Sequence, residues 1–163
     1  MKKILIALDY DPGAQKIAEE GYALARAMNA DTVLIHVVAD SVYYSSLEYS
    51  PVMGYTGFSS PDMVPLLDVT EFRNAADEFL QQTKSFLEDN SITTIVGEGD
   101  CAESILETAG KINADIIVMG SHSRRGLDKI LMGSISEKVL RHTNIPLFLI
   151  PSKKEDKDVV KEG

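Results

Sequence analysis

Short apolar segments alternate with amphipathic segments along this chain, and that alternation predicts an α/β fold, with a parallel sheet covered by helices on both faces. Two observations support the prediction. Several apolar runs are unbroken, which is typical of strands buried on both faces of a parallel sheet. The segments between them carry apolar residues at helical spacing. Together these patterns indicate five strands and four helices.

Each predicted strand is a short apolar run that ends at a turn-forming or polar residue. The third is more polar than the others, which suits the edge of a sheet. The predicted strands, in chain order, are Ile4 to Leu8, Thr32 to Val38, Ile92 to Val96, Ile116 to Met119 and Leu147 to Ile150.

The predicted helices cover residues 14–29, 68–90, 101–113 and 134–142. Asp100 is expected to cap the third helix, with Glu103 three residues later as a variant capping box. Ser134 is expected to cap the fourth helix. Residues 39–67 fit neither periodicity, and four of the six tyrosines fall there, a composition that leans toward a contact surface.

Composition is that of a soluble globular domain, with 44% hydrophobic and 25% charged residues. The net charge of −9 argues against nonspecific binding to nucleic acid or to anionic membranes. No apolar run approaches the roughly 18 residues of a membrane span, and no signal peptide is visible, so a cytoplasmic protein is expected. The single cysteine, Cys101, excludes an internal disulfide. The charged segment 152–163 is expected to be a disordered tail after a domain at 1–151.

The stretch from residue 115 to residue 150 is the most informative. Its first apolar run ends at Gly120, a small, basic loop follows, and Gly133-Ser134 opens the last predicted helix. Glycine lets a backbone approach a ligand closely, and a helix N-terminus attracts phosphate through free N–H groups and a partial positive charge. An ordinary βα loop has the same pattern, and physical reasoning alone leaves both interpretations open.

The spacing resembles the nucleotide-binding motif of the universal stress protein (UspA) family: Gly, two residues, Gly, nine residues, Gly, then Ser or Thr. This chain has Gly120, two residues, Ser123, nine residues, Gly133 and Ser134, so Ser123 replaces the second glycine. The resemblance covers residues 1–151. It implies the strand order 3-2-1-4-5 of the adenine nucleotide alpha-hydrolase-like fold, and a homodimer that pairs through the last strand.

The resemblance also implies a site for ATP or another adenine nucleotide, with Mg²⁺ held mostly by phosphates and water. Val37 is expected to back the adenine ring, with help from the backbone of Ala7 and Leu8. Asp9 is expected to contact the ribose or metal side, although it can instead cap the next helix. The remaining expected contacts, mostly to the phosphates, are Met119, Gly120, Ser123, Gly133, Ser134 and Ile135.

The sequence and the resemblance leave three functional classes to consider. The first is a dimeric, ATP-binding stress-response regulator; the second is an interaction module of the same fold that binds no nucleotide. The third, a related nucleotide-using enzyme, is disfavoured because the Ser-Gly-Gly-x-Asp-Ser loop of pyrophosphatase-loop ligases and the Gly-Lys-Ser/Thr of a Walker A loop are both missing from the sequence. The three histidines lack metal-ligand spacing, and His36 is expected to be a core or crevice-edge residue. We therefore expect at most slow hydrolysis.

Overall fold

The computed structural model describes residues 1–10, 13–38, 69–121 and 133–151. The expectations for Ser123, for residues 39–67 and for the tail 152–163 lie outside these residues. The elements are β1 (Lys3–Ala7), α1 (Ala14–Ala27), β2 (Asp31–Val38), α2 (Val69–Phe86), β3 (Thr93–Glu98), α3 (Cys101–Lys111), β4 (Ile116–Gly120), α4 (Ser134–His142) and β5 (Leu147–Ile150).

The strands form one parallel sheet in the order β3-β2-β1-β4-β5, which confirms the predicted class and order. Alternate residues of β1 enter two apolar layers, because successive side chains of a strand point to opposite faces. Ile4 and Ile6 pack with α1 and α2, whereas Leu5 and Ala7 pack with α3 and α4. Burial on both faces explains why the strand segments are unbroken apolar runs.

Three predicted helices run past the observed ends at Ala27, Phe86 and Lys111. Each helix is followed by a turn in which one residue has a positive φ, namely Asn29, Glu88 and Asn113. In the first of these turns the Ala30 N–H donates to the Ala25 carbonyl at 2.9 Å, which satisfies a helix-terminal acceptor. The third predicted strand is also corrected: β3 begins at Thr93 and continues to Glu98, because Gly97 and Glu98 still pair with β2.

The connections change direction between β1 and β4, which are neighbours in the sheet but not in sequence. In an open α/β sheet, a ligand crevice lies outside the carboxyl ends of the strands at such a switch point. Leu8 and Asp9 leave β1 at this end, and Ser121 leaves β4 beside them. The predicted binding segments therefore lie together at the carboxyl ends of the strands.

Candidate functional site

The start of α4 lies directly against the carboxyl end of β4. The Gly133 N–H donates to the Ser121 carbonyl at 2.8 Å, and the Ser121 N–H donates to the Ile150 carbonyl at 3.0 Å. These two bonds fix the helix N-terminus beside Gly120, the last residue of β4. The two ends of the glycine motif, Gly120 and Gly133-Ser134, are therefore brought together as predicted.

The cap of α4 is Gly133, not Ser134, so the predicted capping role of Ser134 is wrong. Gly133 has the extended backbone of a cap (φ −58°, ψ 154°), and as a glycine it has no side chain that could bond to the first-turn amides. Ser134 is the first helical residue. The first intrahelical bond runs from the Glu137 N–H to the Gly133 carbonyl at 2.9 Å. Helical geometry leaves the preceding N–H groups without an intrahelical acceptor, which suits an anion.

Ser136 supports this N-terminus from the protein side. Its side chain is buried, and its hydroxyl donates to the Gly133 carbonyl at 3.0 Å. That bond holds the backbone of the cap, whereas the exposed Ser134 hydroxyl and the Ile135 amide lie in the first turn. The sequence analysis did not single out Ser136, because a serine inside a helix carries no distinctive signal.

The carboxyl end of β1 forms the second part of the site. Ala7 and Leu8 are buried, and the half-buried Asp9 follows them. Gly13 occupies the N-cap position of α1, and the alternative in which Asp9 caps this helix stays a prediction. On β2, the register with β1 ends at Ile35, so Val37 lies beyond the end of β1.

Two of the residues expected to contact the ligand, Val37 and Met119, have buried side chains. Val37 is 7% exposed and Met119 is 6% exposed, and both side chains belong to the apolar layer under α3 and α4. Their side chains therefore support the floor of the crevice.

His36 is a core residue at the crevice edge, as expected. It is 4% exposed, and its ring lies on the opposite face of the sheet from the Val37 side chain. The ring centroid lies 4.3 Å from that of Tyr10 and 5.7 Å from that of Phe79. Its Nδ1 lies 2.8 Å from the Leu8 carbonyl oxygen.

The loop between β3 and α3 borders the crevice on a third side. Gly99 has a φ of 95°, a left-handed conformation that favours glycine, and its N–H donates to the Val38 carbonyl at 3.1 Å. Asp100 caps α3 as predicted, since its Oδ1 accepts the Glu103 N–H at 2.9 Å. The same oxygen lies 3.2 Å from Lys138 Nζ on α4. Both contacts lower the pKa of Asp100, the backbone bond more than the lysine.

Among the residues that the structure describes, no three His, Cys, Asp or Glu side chains are grouped to hold a metal ion. In that same part of the chain, no helix is long and apolar enough to cross a membrane.

A family model and several known proteins match this sequence. A family model described as "Universal stress protein family" matches residues 1–151. Universal stress protein MJ0531 of Methanocaldococcus jannaschii is 29% identical over 157 residues, which span 95% of this chain and 85% of the relative. Universal stress protein A homolog 1 of Coxiella burnetii is 32% identical over 141 residues, which span 85% and 88%.

Several solved structures have a similar fold. The structure of MJ0577, also from M. jannaschii, matches with a TM-score of 0.70 and 26% identity, and covers 94% of this chain and 98% of that chain. A universal stress protein in complex with cAMP matches with a TM-score of 0.58, 13% identity and coverage of 93% and 98%. One from Archaeoglobus fulgidus in complex with dAMP matches with a TM-score of 0.58, 16% identity and coverage of 92% and 98%. These two share the fold.

The topology and the glycine-capped helix N-terminus define an α/β protein with its crevice at the switch point of a parallel sheet. The match of the family model over residues 1–151 narrows that class further: the chain belongs to the universal stress protein family.

Proposed function

We propose that this protein binds an adenine nucleotide, ATP with Mg²⁺ in the first instance, and acts as a dimeric cytoplasmic stress-response regulator with slow or no hydrolysis. The observation that carries the proposal is the N-terminus of α4. Its cap is a glycine, which has no side chain to offer the first-turn amides, and it is fixed against the carboxyl end of β4 by the Gly133–Ser121 hydrogen bond. Fold relatives in complex with cAMP and dAMP support an adenine nucleotide as the ligand.

The phosphates are assigned to the place where the carboxyl end of β4 meets the start of α4. The amides of Ser134 and Ile135, the Ser134 hydroxyl and the close backbone of Gly120 and Gly133 would hold them, since these groups lie at the positive end of the α4 dipole. Ser123, whose hydroxyl can donate one hydrogen bond, is assigned to the same loop by the motif.

The base and the ribose are assigned to the carboxyl ends of β1 and β2. The buried Val37 and Met119 side chains make the floor apolar, and the backbones of Ala7 and Leu8 border it. Asp9 follows directly and would accept hydrogen bonds from ribose hydroxyls or face the metal. Mg²⁺ supplies charge neutralisation when bound, with phosphates and water as its main ligands.

The homodimer is assigned to the outer edge of β5. An edge strand presents unpaired backbone groups that natural proteins cover or block. Phe148 on β5 is 45% exposed and Leu140 on α4 is 49% exposed, and both are large apolar side chains. A second copy of the chain would cover them.

The direct test is to denature the purified protein, identify any released nucleotide by anion-exchange chromatography, and titrate ATP with Mg²⁺ by calorimetry. We expect co-purified or titratable adenine nucleotide. Gly133→Ala should weaken ATP binding by about tenfold or more, since a Cβ would separate backbone from phosphate by more than a hydrogen bond tolerates. The backbone of Gly133 is one that alanine adopts without strain, so the fold should persist.

Gly110→Ala is the matched control. Gly110 lies in α3, and a Cβ built there meets no atom within 4 Å. The variant should bind ATP like the wild type. Equal affinity in Gly133→Ala would place the phosphates elsewhere. Absence of released nucleotide and of heat would favour the second candidate, an interaction module without nucleotide, to which the replacement of the motif glycine by Ser123 points.

A further inference from the structure

The hydrogen-bond ladder between β1 and β2 ends although both chains continue beyond its last bond. The Leu8 N–H donates to the Ile35 carbonyl at 2.9 Å, and the register ends at the pair Ala7–Ile35. In a parallel ladder, the next bond would join the Val37 N–H to the Leu8 carbonyl. Leu8 lies outside β1, so that bond is not part of the sheet described here.

The Leu8 carbonyl accepts a hydrogen bond from a side chain instead. His36 Nδ1 lies 2.8 Å from the Leu8 oxygen, and because a carbonyl only accepts, Nδ1 must carry the proton. The ring is buried and is held by its contacts with Tyr10 and Phe79. The ring, with a proton on Nδ1, is therefore positioned to hold the Leu8 carbonyl, one residue beyond the end of β1.

We propose that His36 is a positioning residue for nucleotide recognition: its Nδ1 holds the Leu8 carbonyl in a position that the Val37 N–H does not reach, and so leaves that N–H directed into the crevice to bind the base. This inference rests on the proposed function. Backbone groups of Ile35 and Val37 point to the same side of β2, since both alternate toward β1. Beyond the end of β1, that side is the crevice.

A Val37 N–H that the β1–β2 ladder does not use would select adenine over guanine. A backbone N–H donates to the unprotonated ring nitrogen N1 of adenine, whereas guanine carries a hydrogen on N1 and would set donor against donor. A net hydrogen bond of ordinary strength corresponds to a preference of about three- to tenfold. His36 thus acts on the base through Val37, without touching the nucleotide.

The first test needs no nucleotide. Amide hydrogen exchange is measured by NMR at Val37, with the Ile35 amide, which is within the ladder, as the internal reference. In the wild type, the Val37 amide should exchange at least about tenfold faster than that of Ile35. In His36→Leu, the ladder can close and the Val37 amide should become protected. His36→Asn keeps a donor near the Nδ1 position and should behave as the wild type.

Equal protection of the Val37 and Ile35 amides in the wild type would overturn the inference, whether or not His36→Leu folds. The ¹⁵N chemical shifts of the His36 ring provide a second measurement on the wild type. A ring that carries its proton on Nε2 rather than Nδ1 would also overturn it.

The second test compares ATP and GTP by calorimetry. His36→Leu should lose about three- to tenfold in ATP affinity with GTP affinity unchanged, and His36→Asn should keep the preference. Equal losses for the two nucleotides would show a general structural role and overturn the proposal. A wild type that binds neither nucleotide overturns the proposed function and the base-reading role with it, whereas the amide comparison still decides what His36 does to the ladder.

Discussion

At the scale of single residues, Asp100 shows how one carboxylate can serve two elements. Its Oδ1 accepts the Glu103 N–H at the start of α3 and also lies 3.2 Å from Lys138 Nζ on α4. The second contact joins the loop after β3 to the helix whose N-terminus is assigned to phosphate. Both partners are about half exposed, so the ion pair itself should contribute little, and the cap should dominate.

Asp100→Ala should therefore lower the free energy of unfolding by about 1 kcal/mol, the usual loss for a helix cap. Asp100→Asn keeps an oxygen that can accept the Glu103 N–H and should lose only a fraction of that amount. Urea unfolding of the three proteins at neutral pH measures the difference. Equal losses in both variants would show that charge, rather than the cap, is what matters at this position.

The pH dependence follows from the lowered pKa of Asp100, caused first by the Glu103 N–H and then by Lys138. A carboxylate with a depressed folded pKa stabilises the protein above its ordinary pKa of about 3.9, and this stabilisation is lost as the pH falls through the folded value. The stability advantage of the wild type over Asp100→Asn should therefore shrink below about pH 4. A constant difference across the acid range would contradict the assignment.

At the scale of elements, α1 and α3 respond oppositely to the same substitution. A Cβ built on Gly21 in α1 would lie 2.7 Å from Ile6 Cδ1 and 3.2 Å from Val118 Cγ1, both in the core, whereas one on Gly110 in α3 meets open space. Gly21→Ala should destabilise by about 1–2 kcal/mol through overpacking, and Gly110→Ala should stabilise by up to about 1 kcal/mol. Urea unfolding decides; effects of the same sign would contradict the packing of α1.

Element type was readable from the sequence because burial on both faces gives β1, β2 and β4 their unbroken apolar runs. The residues at which helices and strands end were harder to predict. The helices stop at left-handed residues such as Asn29, and β3 extends to Glu98 because its partner β2 continues beside it. The cap of α4 at Gly133 instead of Ser134 reflects backbone geometry, which a good capping residue one position later cannot reveal.

At the scale of the whole molecule, the candidate site depends on the topology, which brings distant segments together. The ends of β1, β2 and β4 and the start of α4 could be assigned by motif and resemblance, and the described members do meet at one edge of the sheet. The contacts between His36 and Leu8 and between Lys138 and Asp100 could not, since 28 and 38 residues separate the partners and neither pair has a sequence signature.

Assembly is the last property at this scale, and the outer edge of β5 makes it testable. Phe148→Lys puts a charge on an exposed apolar side chain of the edge strand, a device by which natural proteins block strand pairing. Phe86→Lys makes the same change at a residue of similar exposure, 52% against 45%, at the end of α2 and away from β5. Both substitutions add the same charge, so net repulsion between copies is matched.

By sedimentation equilibrium at one protein concentration, the wild type and Phe86→Lys should be dimers and Phe148→Lys should be a monomer. The reason is that a lysine ammonium group must be desolvated if the β5 edge is covered, and it stays hydrated if the edge is free. A monomeric wild type would remove the dimer from the proposed function. A dimer that persists in Phe148→Lys and dissociates in Phe86→Lys would move the interface to the end of α2.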